Sequence, residues 1–175
     1  MIIYIRHSEK EFQNADLSQK YGWDPNLTEN GIKNATELGA TLIYQFGIPD
    51  KIYCSPYRRT RQTLDALLPE EYPMTNLITV DPRIGEFLGE WPISDISIAP
   101  DTLQYLPIYD NKKAHTKRIL DLHSEALKIK DSKVIWVIAH GKVLKTITKL
   151  YEKKSTHVPL LGYQIVWEGK LYKFY

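Results

Sequence analysis

A single cysteine, Cys54, stands in a chain of 175 residues. No internal disulfide framework can form, and the count fits a reducing compartment. There is no cysteine pair and no His-x-x-x-His pair with a glutamate, so the common zinc signatures are missing. Neither a metal nor another cofactor is expected. No apolar run reaches the roughly 20 residues that span a bilayer. The chain opens on a strand pattern rather than a charged leader, so a cytoplasmic location without a membrane partner is expected. The net charge is only +2, and no long basic stripe accompanies it, so nucleic acid is not an expected partner. No repeat, low-complexity tract or linker divides the sequence. One domain over residues 1–175 is the expectation. The oligomeric state is not legible.

What is present alternates. Strand-like apolar runs fall at 1–5, 50–54, 76–80 and 133–139. Between them lie helical patterns. Residues 28–46 carry Ile32, Ala35, Leu38, Leu42 and Phe46 at helical spacing, with Thr28 as a candidate N-cap. Residues 57–68 carry Leu64, Leu67 and Leu68; residues 112–130 carry Ile119, Leu122, Ala126 and Ile129; residues 141–152 carry Val143, Leu144, Ile147 and Leu150. The C-terminus reads as a hairpin around Glu168-Gly169. Strands alternating with helices predict an α/β fold, a three-layer α/β/α sandwich around a mostly parallel sheet. The strand order is left open. Residues 92–111 contain three prolines and little periodicity, and read as a long surface loop.

Three strand ends carry chemistry. Arg6-His7 follows the first run, Cys54-Ser55-Pro56-Tyr57-Arg58-Arg59 follows the second, and His140-Gly141 follows the last. Open α/β sheets bind ligands beyond the carboxyl ends of their strands. Arginine grips oxyanions in a planar fork, and a neutral imidazole nitrogen can attack phosphorus. His, Arg and His at three strand ends suit a small phosphorylated substrate. Alone, each of these histidines would read as a core residue that happens to end a strand.

These blocks carry a resemblance. Arg6-His7-Ser8-Glu9 resembles the Arg-His-Gly-Glu signature of the histidine phosphatase superfamily, the phosphoglycerate-mutase-like proteins of the branch 1 type. Leu27-Thr28-Glu29-Asn30-Gly31, Cys54-Ser55-Pro56 through Arg59, Arg83 through Trp91, and His140-Gly141 are similar to its remaining blocks, in order, from Met1 to about Leu150. The resemblance implies a metal-independent phosphatase that hydrolyses a phosphomonoester through a phosphohistidine. The alternatives are a phosphoglycerate-type mutase and an inactive phosphate-binding or interaction module.

The resemblance implies His7 as nucleophile, Arg6, Arg59 and His140 with Gly141 as phosphate ligands, and Glu86 as general acid. Glu90 is the alternative acid, because the spacer between Glu86 and Gly89-Glu90-Trp91 is one residue shorter than the family pattern. Ser8 replaces the usual glycine, and Lys142 follows His140-Gly141 where small residues are frequent. Lys10 and Lys142 read as solvated lysines or as ligands of a second anionic group. Arg58 and Arg61 read as a solvated helix face, Glu9 as structural, and Cys54 as a small buried residue. The first turn after Pro56 is expected to offer backbone N–H groups to an anion. His115, His123 and His157 are expected at the surface or partly buried. The substrate is not legible, although apolar and aromatic residues between Ile93 and Tyr109 suggest an organic leaving group.

Overall fold

The computed structural model describes residues 1–11, 24–72, 76–87, 111–130, 133–154 and 156–175. Among them, six strands form one sheet in the order β3-β2-β4-β1-β5-β6. The strands are β1 (Ile2–Arg6), β2 (Lys51–Cys54), β3 (Ile78–Val80), β4 (Ile135–Ala139), β5 (Tyr163–Trp167) and β6 (Lys170–Phe174). β1 to β4 are mutually parallel, and β5 and β6 are antiparallel additions. The mostly parallel sheet is therefore as expected.

β1 and β4 lie side by side at the centre because both read as continuous apolar runs, IIYIR and IWVIA. Such strands need cover on both faces. Alternation sends Ile2, Tyr4, Ile135 and Val137 to one face and Ile3, Ile5, Trp136 and Ile138 to the other. Helices α1 (Glu29–Phe46) and α2 (Arg58–Leu67) cover the second face. Helices α3 (Lys112–Ala126) and α4 (Gly141–Glu152) cover the first. This is the three-layer α/β/α sandwich.

Thr28 caps α1, its Oγ1 accepting from Gly31 N–H at 2.9 Å. The buried face of α1 is Gly31, Ala35, Gly39 and Leu42, while Ile32 is 45% exposed. Of the apolar residues counted for this face, Ala35 and Leu42 are buried and Leu38 and Phe46 pack against the core. Ile32 is the exception, and Gly31 and Gly39 escaped the count because glycines contribute nothing to an apolar pattern yet mark the close contact. A Cβ on Gly39 would stand 2.0 Å from the Leu67 carbonyl oxygen of α2. On α4, likewise, Leu150 is half exposed although the periodicity grouped it with the core. α3 stops at Ala126, short of the predicted 130, and Asn111 caps its start. The β5–β6 turn is at Glu168 and Gly169, both at positive φ, as a two-residue hairpin turn of type I′ requires. The predicted loop at 92–111 lies outside the described residues except for Asn111. Among the described residues, no helix is long and apolar enough to cross a membrane.

Gly39 sets the spacing of α1 and α2, so its replacement tests that layer. In an exposed helix, Gly→Ala would gain up to about 1 kcal/mol. Here the backbone clash dominates. Gly39→Ala is expected to lose about 1–3 kcal/mol, the range for overpacking, and Gly39→Val more, read as a lower urea midpoint. An unchanged or raised midpoint for Gly39→Ala would contradict the close approach.

Candidate active site

The parallel register assembles the site. Arg6 pairs with Ala139 and Cys54 with Ile138, so the next residues, His7, His140 and Ser55, emerge together at one sheet edge. His7 N–H donates to Ala139 carbonyl at 2.9 Å and Ser55 N–H to Ile138 carbonyl at 3.0 Å. The rings of His7 and His140 meet edge-on with centroids 5.4 Å apart.

His7 is 2% exposed. Its Nδ1 lies 2.8 Å from the Ser8 carbonyl oxygen. A carbonyl only accepts, so Nδ1 carries the proton and Nε2 carries the lone pair. Burial first, then Arg59, hold His7 well below the usual histidine range. Ser8 anchors this turn. Its N–H donates to Thr63 Oγ1 at 3.0 Å, and its Oγ donates to Gly31 carbonyl at 2.7 Å. Thr63 Oγ1 in turn donates to Arg59 carbonyl. The serine that departs from the family glycine therefore ties His7 to both α1 and α2.

Arg59 is 4% exposed and is the central cation. Its Nη1 lies 3.6 Å from Asp24 Oδ1 and its Nη2 3.6 Å from Glu86 Oε2. Its guanidinium covers the Tyr57 ring at 4.4 Å. Nη2 also approaches His140 Nδ1 at 3.3 Å. Because arginine only donates, Nδ1 accepts, and His140 Nε2 donates to Ser55 Oγ at 2.8 Å. His140 is fully buried, and burial followed by Arg59 pushes it well below the usual histidine range. The 3.4 Å approach of Glu86 Oε2 to its Nδ1 is therefore not an ion pair.

Glu86 reaches the site from the segment after a 3₁₀ turn at Pro82–Ile84. Arg118 of α3 clamps that segment, donating to the carbonyls of Pro82, Arg83 and Gly85 at 2.9, 2.7 and 3.1 Å. Arg6 Nη1 donates to Val158 carbonyl, while its Nε is buried with no partner among the described residues. Gly141 packs against the same guanidinium, since a Cβ there would lie 3.4 Å from Arg6 Nε.

All six predicted site residues, Arg6, His7, Arg59, Glu86, His140 and Gly141, converge here. Glu90 lies outside the described residues. Three readings need correction. His115 and His123 are buried rather than at or near the surface, and His123 bridges Tyr4 and Tyr151 at 2.6 and 2.9 Å. The start of α2 does not offer all its N–H groups to an anion, because Asp24 accepts from Arg58 N–H at 2.8 Å. Arg58 and Arg61 are half-buried rather than a solvated face. Lys10 is also half-buried, and burial with the nearby Arg59 draws it down to about 8. Glu9 is structural as expected, accepting from Thr28 and Asn30. Cys54 is fully buried as expected. Sequence reasoning missed Asp24, Ser55, Tyr57 and Arg118 as members of the site. Ser55 and Tyr57 stood within a recognised block, but nothing in Asp24 or Arg118 signalled a role.

Two neutral buried histidines make the fold acid-sensitive. As pH falls through 6.5, the ordinary value, the unfolded chain binds protons that the folded rings refuse. Stability should therefore rise with pH below neutrality and drop on acidification, by up to about 1.4 kcal/mol per pH unit for each ring. Urea midpoints near pH 7 and pH 5 measure this. The double variant His7→Asn/His140→Asn should show a flatter dependence, and an equal slope would refute the assignment.

Comparison with known proteins places this geometry. A 2,3-bisphosphoglycerate-dependent phosphoglycerate mutase of Bradyrhizobium diazoefficiens is 37% identical over 71 residues, 40% of this chain. The matched stretch spans only 33% of the length of that curated relative. Among solved structures, the fold is similar to the alpha-ribazole phosphatase of Shigella flexneri, with a TM-score of 0.69 at 17% identity, over 99% of this chain and 94% of that one. It is similar also to a mycobacterial glucosyl-3-phosphoglycerate phosphatase in complex with VO3, with a TM-score of 0.69 at 17% identity, over 99% and 96% of the two chains. The family model of the histidine phosphatase superfamily (branch 1) matches residues 2–159. Taken with the two strand-end histidines and the buried arginine between them, that match means that the chain belongs to the histidine phosphatase superfamily.

Proposed function

We propose that the protein is a metal-independent phosphatase that hydrolyses a small phosphomonoester through a phosphohistidine. The observation that carries this reading is the Nδ1–H of His7 held on the Ser8 carbonyl, which leaves an uncharged Nε2 as nucleophile beside a buried cation. In the first step Nε2 attacks phosphorus, and the bond to the leaving oxygen breaks as Glu86 gives that oxygen a proton. In the second step Glu86, now a carboxylate, takes a proton from water. The hydroxide attacks phosphorus, the N–P bond breaks, and phosphate leaves with His7 restored.

Arg59 and Arg6 stabilise the charge that spreads over the equatorial oxygens. The buried, unpartnered Nε of Arg6 is a donor that a phosphate oxygen would satisfy. The Ser55 hydroxyl can donate as well as accept. When a protonated phosphoryl oxygen displaces Arg59 from His140, it can pass its proton to Nδ1; the imidazolium then donates through Nδ1 to that oxygen and through Nε2 to Ser55.

A mutase is the second reading. Its support is the resemblance to the Bradyrhizobium mutase and the half-buried Lys10, a cation able to hold a second anionic group. Against it, the stretch from Pro92 to Asp110 holds no lysine or arginine that could grip a carboxylate. Hydrolysis stays the primary reading, because it needs only Arg6, His7, Arg59, Glu86, His140 and water, whereas a mutase must also hold an acceptor hydroxyl.

With EDTA present throughout, the protein should release phosphate from an aryl phosphate and be inhibited by vanadate. A labelled adduct on His7, acid-labile and alkali-stable, should be trapped. His7→Asn should cut turnover by at least about 10³-fold. Activity lost to EDTA and restored by zinc or manganese would overturn metal independence. Rapid conversion of 3- to 2-phosphoglycerate would support the mutase. Vanadate binding without turnover of any phosphate ester would support the inactive module.

Glu86→Gln should slow phosphorylation by alkyl phosphates by about 10²–10⁴-fold, the range of general acid catalysis. p-Nitrophenyl phosphate, whose leaving group needs no proton, should be slowed far less in burst kinetics. If that dependence follows Glu90→Gln instead, the acid is Glu90.

A further inference from the structure

A groove of about 560 Å³ runs between α3 and the outer face of α4. Its basic wall is Lys112, Lys142, Lys145 and Lys149, and its apolar wall includes Phe87 and Leu120. The three lysines of α4 fall at positions i, i+3 and i+7, one face of the helix. None of the four pairs with a carboxylate among the described residues, unlike Lys117 and Lys173. The groove therefore presents a concentrated positive charge with no carboxylate partner among the described residues.

Two of its lining residues, Phe87 and Lys142, adjoin site residues along the chain. Phe87 follows Glu86, and Lys142 follows Gly141, which packs on Arg6. Lys142 Nζ sits over the Phe87 ring at 4.4 Å. From Lys142 to Lys149 the helix rises about 10 Å. An anion at the far lysines would thus stand well beyond the reach of Arg6 and Arg59, with apolar surface in between.

We propose that this groove is a second-anion subsite, so that the preferred substrate is an elongated phosphomonoester with an apolar body and a carboxylate or second phosphate at its far end. This rests on the phosphatase reading and names its substrate class. Solvated lysines whose stems merely shield the apolar wall would instead give no preference for a distal charge.

Matched ligands separate the two. Hexyl phosphate, 6-phosphohexanoate and 1,6-hexanediol bisphosphate share one chain length and differ only at the far end. Their kcat/KM is read by phosphate release, and their Kd by calorimetry on His7→Asn, which does not need turnover. The two ligands with a charged far end should exceed hexyl phosphate by about 5–30-fold, the upper yield of two exposed ion pairs, and the advantage should shrink in high salt. Comparison of 6-phosphohexanoate with the bisphosphate tells which terminal anion is preferred. In Lys145→Gln/Lys149→Gln the advantage should fall to within about 3-fold. Equal values for hexyl phosphate and both charged ligands would overturn the subsite. So would an advantage that survives the double substitution. If calorimetry shows the preference while no ligand turns over, the groove stands and the phosphatase reading falls.

Discussion

The site depends on β4 lying between β1 and β2 with its parallel register intact. Arg6 opposite Ala139 and Cys54 opposite Ile138 bring three distant segments to one sheet edge. Side chains in a strand alternate, so a slip of one residue would send every side chain to the opposite face of the sheet. It would part the histidine rings and exchange the residues of IWVIA between the two helix layers. The apolar pattern that stabilises the sheet therefore also sets the catalytic distances.

Placing a guanidinium in that edge creates the second constraint. Arg59 is almost fully buried, and a buried charge is costly unless paired. Asp24, Glu86 and the face of Tyr57 share the task. Both carboxylates stand 3.6 Å from the guanidinium nitrogens. The same cation helps keep both histidines uncharged. One buried arginine is thus both the proposed anion ligand and part of the field that keeps the proposed nucleophile uncharged.

Positioning comes from less conspicuous groups. Ser8 joins His7 to α1 and α2 through Gly31 and Thr63. Arg118 holds the Glu86 segment by three carbonyl contacts from the opposite layer. Both layers of helices therefore touch the site, one fixing the nucleophile and the other the proposed acid. The lysine face of α4 extends this electropositive edge outward, which suits a substrate larger than phosphate itself.

Much of this was legible in the chain. Continuous apolar runs identified the buried strands, turn chemistry at Glu168-Gly169 identified the hairpin, and arginine and histidine at strand ends marked the site. These are local signals, read from neighbours in sequence. Strand order was not, because pairing is chosen by long-range packing that no local pattern encodes. Asp24 and Arg118 were invisible for the same reason: each acquires its role only when folding sets it beside Arg59 or the Glu86 segment. The helix faces were read correctly except at Ile32 and Leu150, which are exposed, and at Gly31 and Gly39, whose close contacts an apolar count does not register. The sequence by itself determined the secondary elements and which residue types stand at their ends. The tertiary structure alone decided which ends meet, which charges are buried together and which histidines stay neutral, since desolvation and Coulombic coupling exist only once the chain is packed.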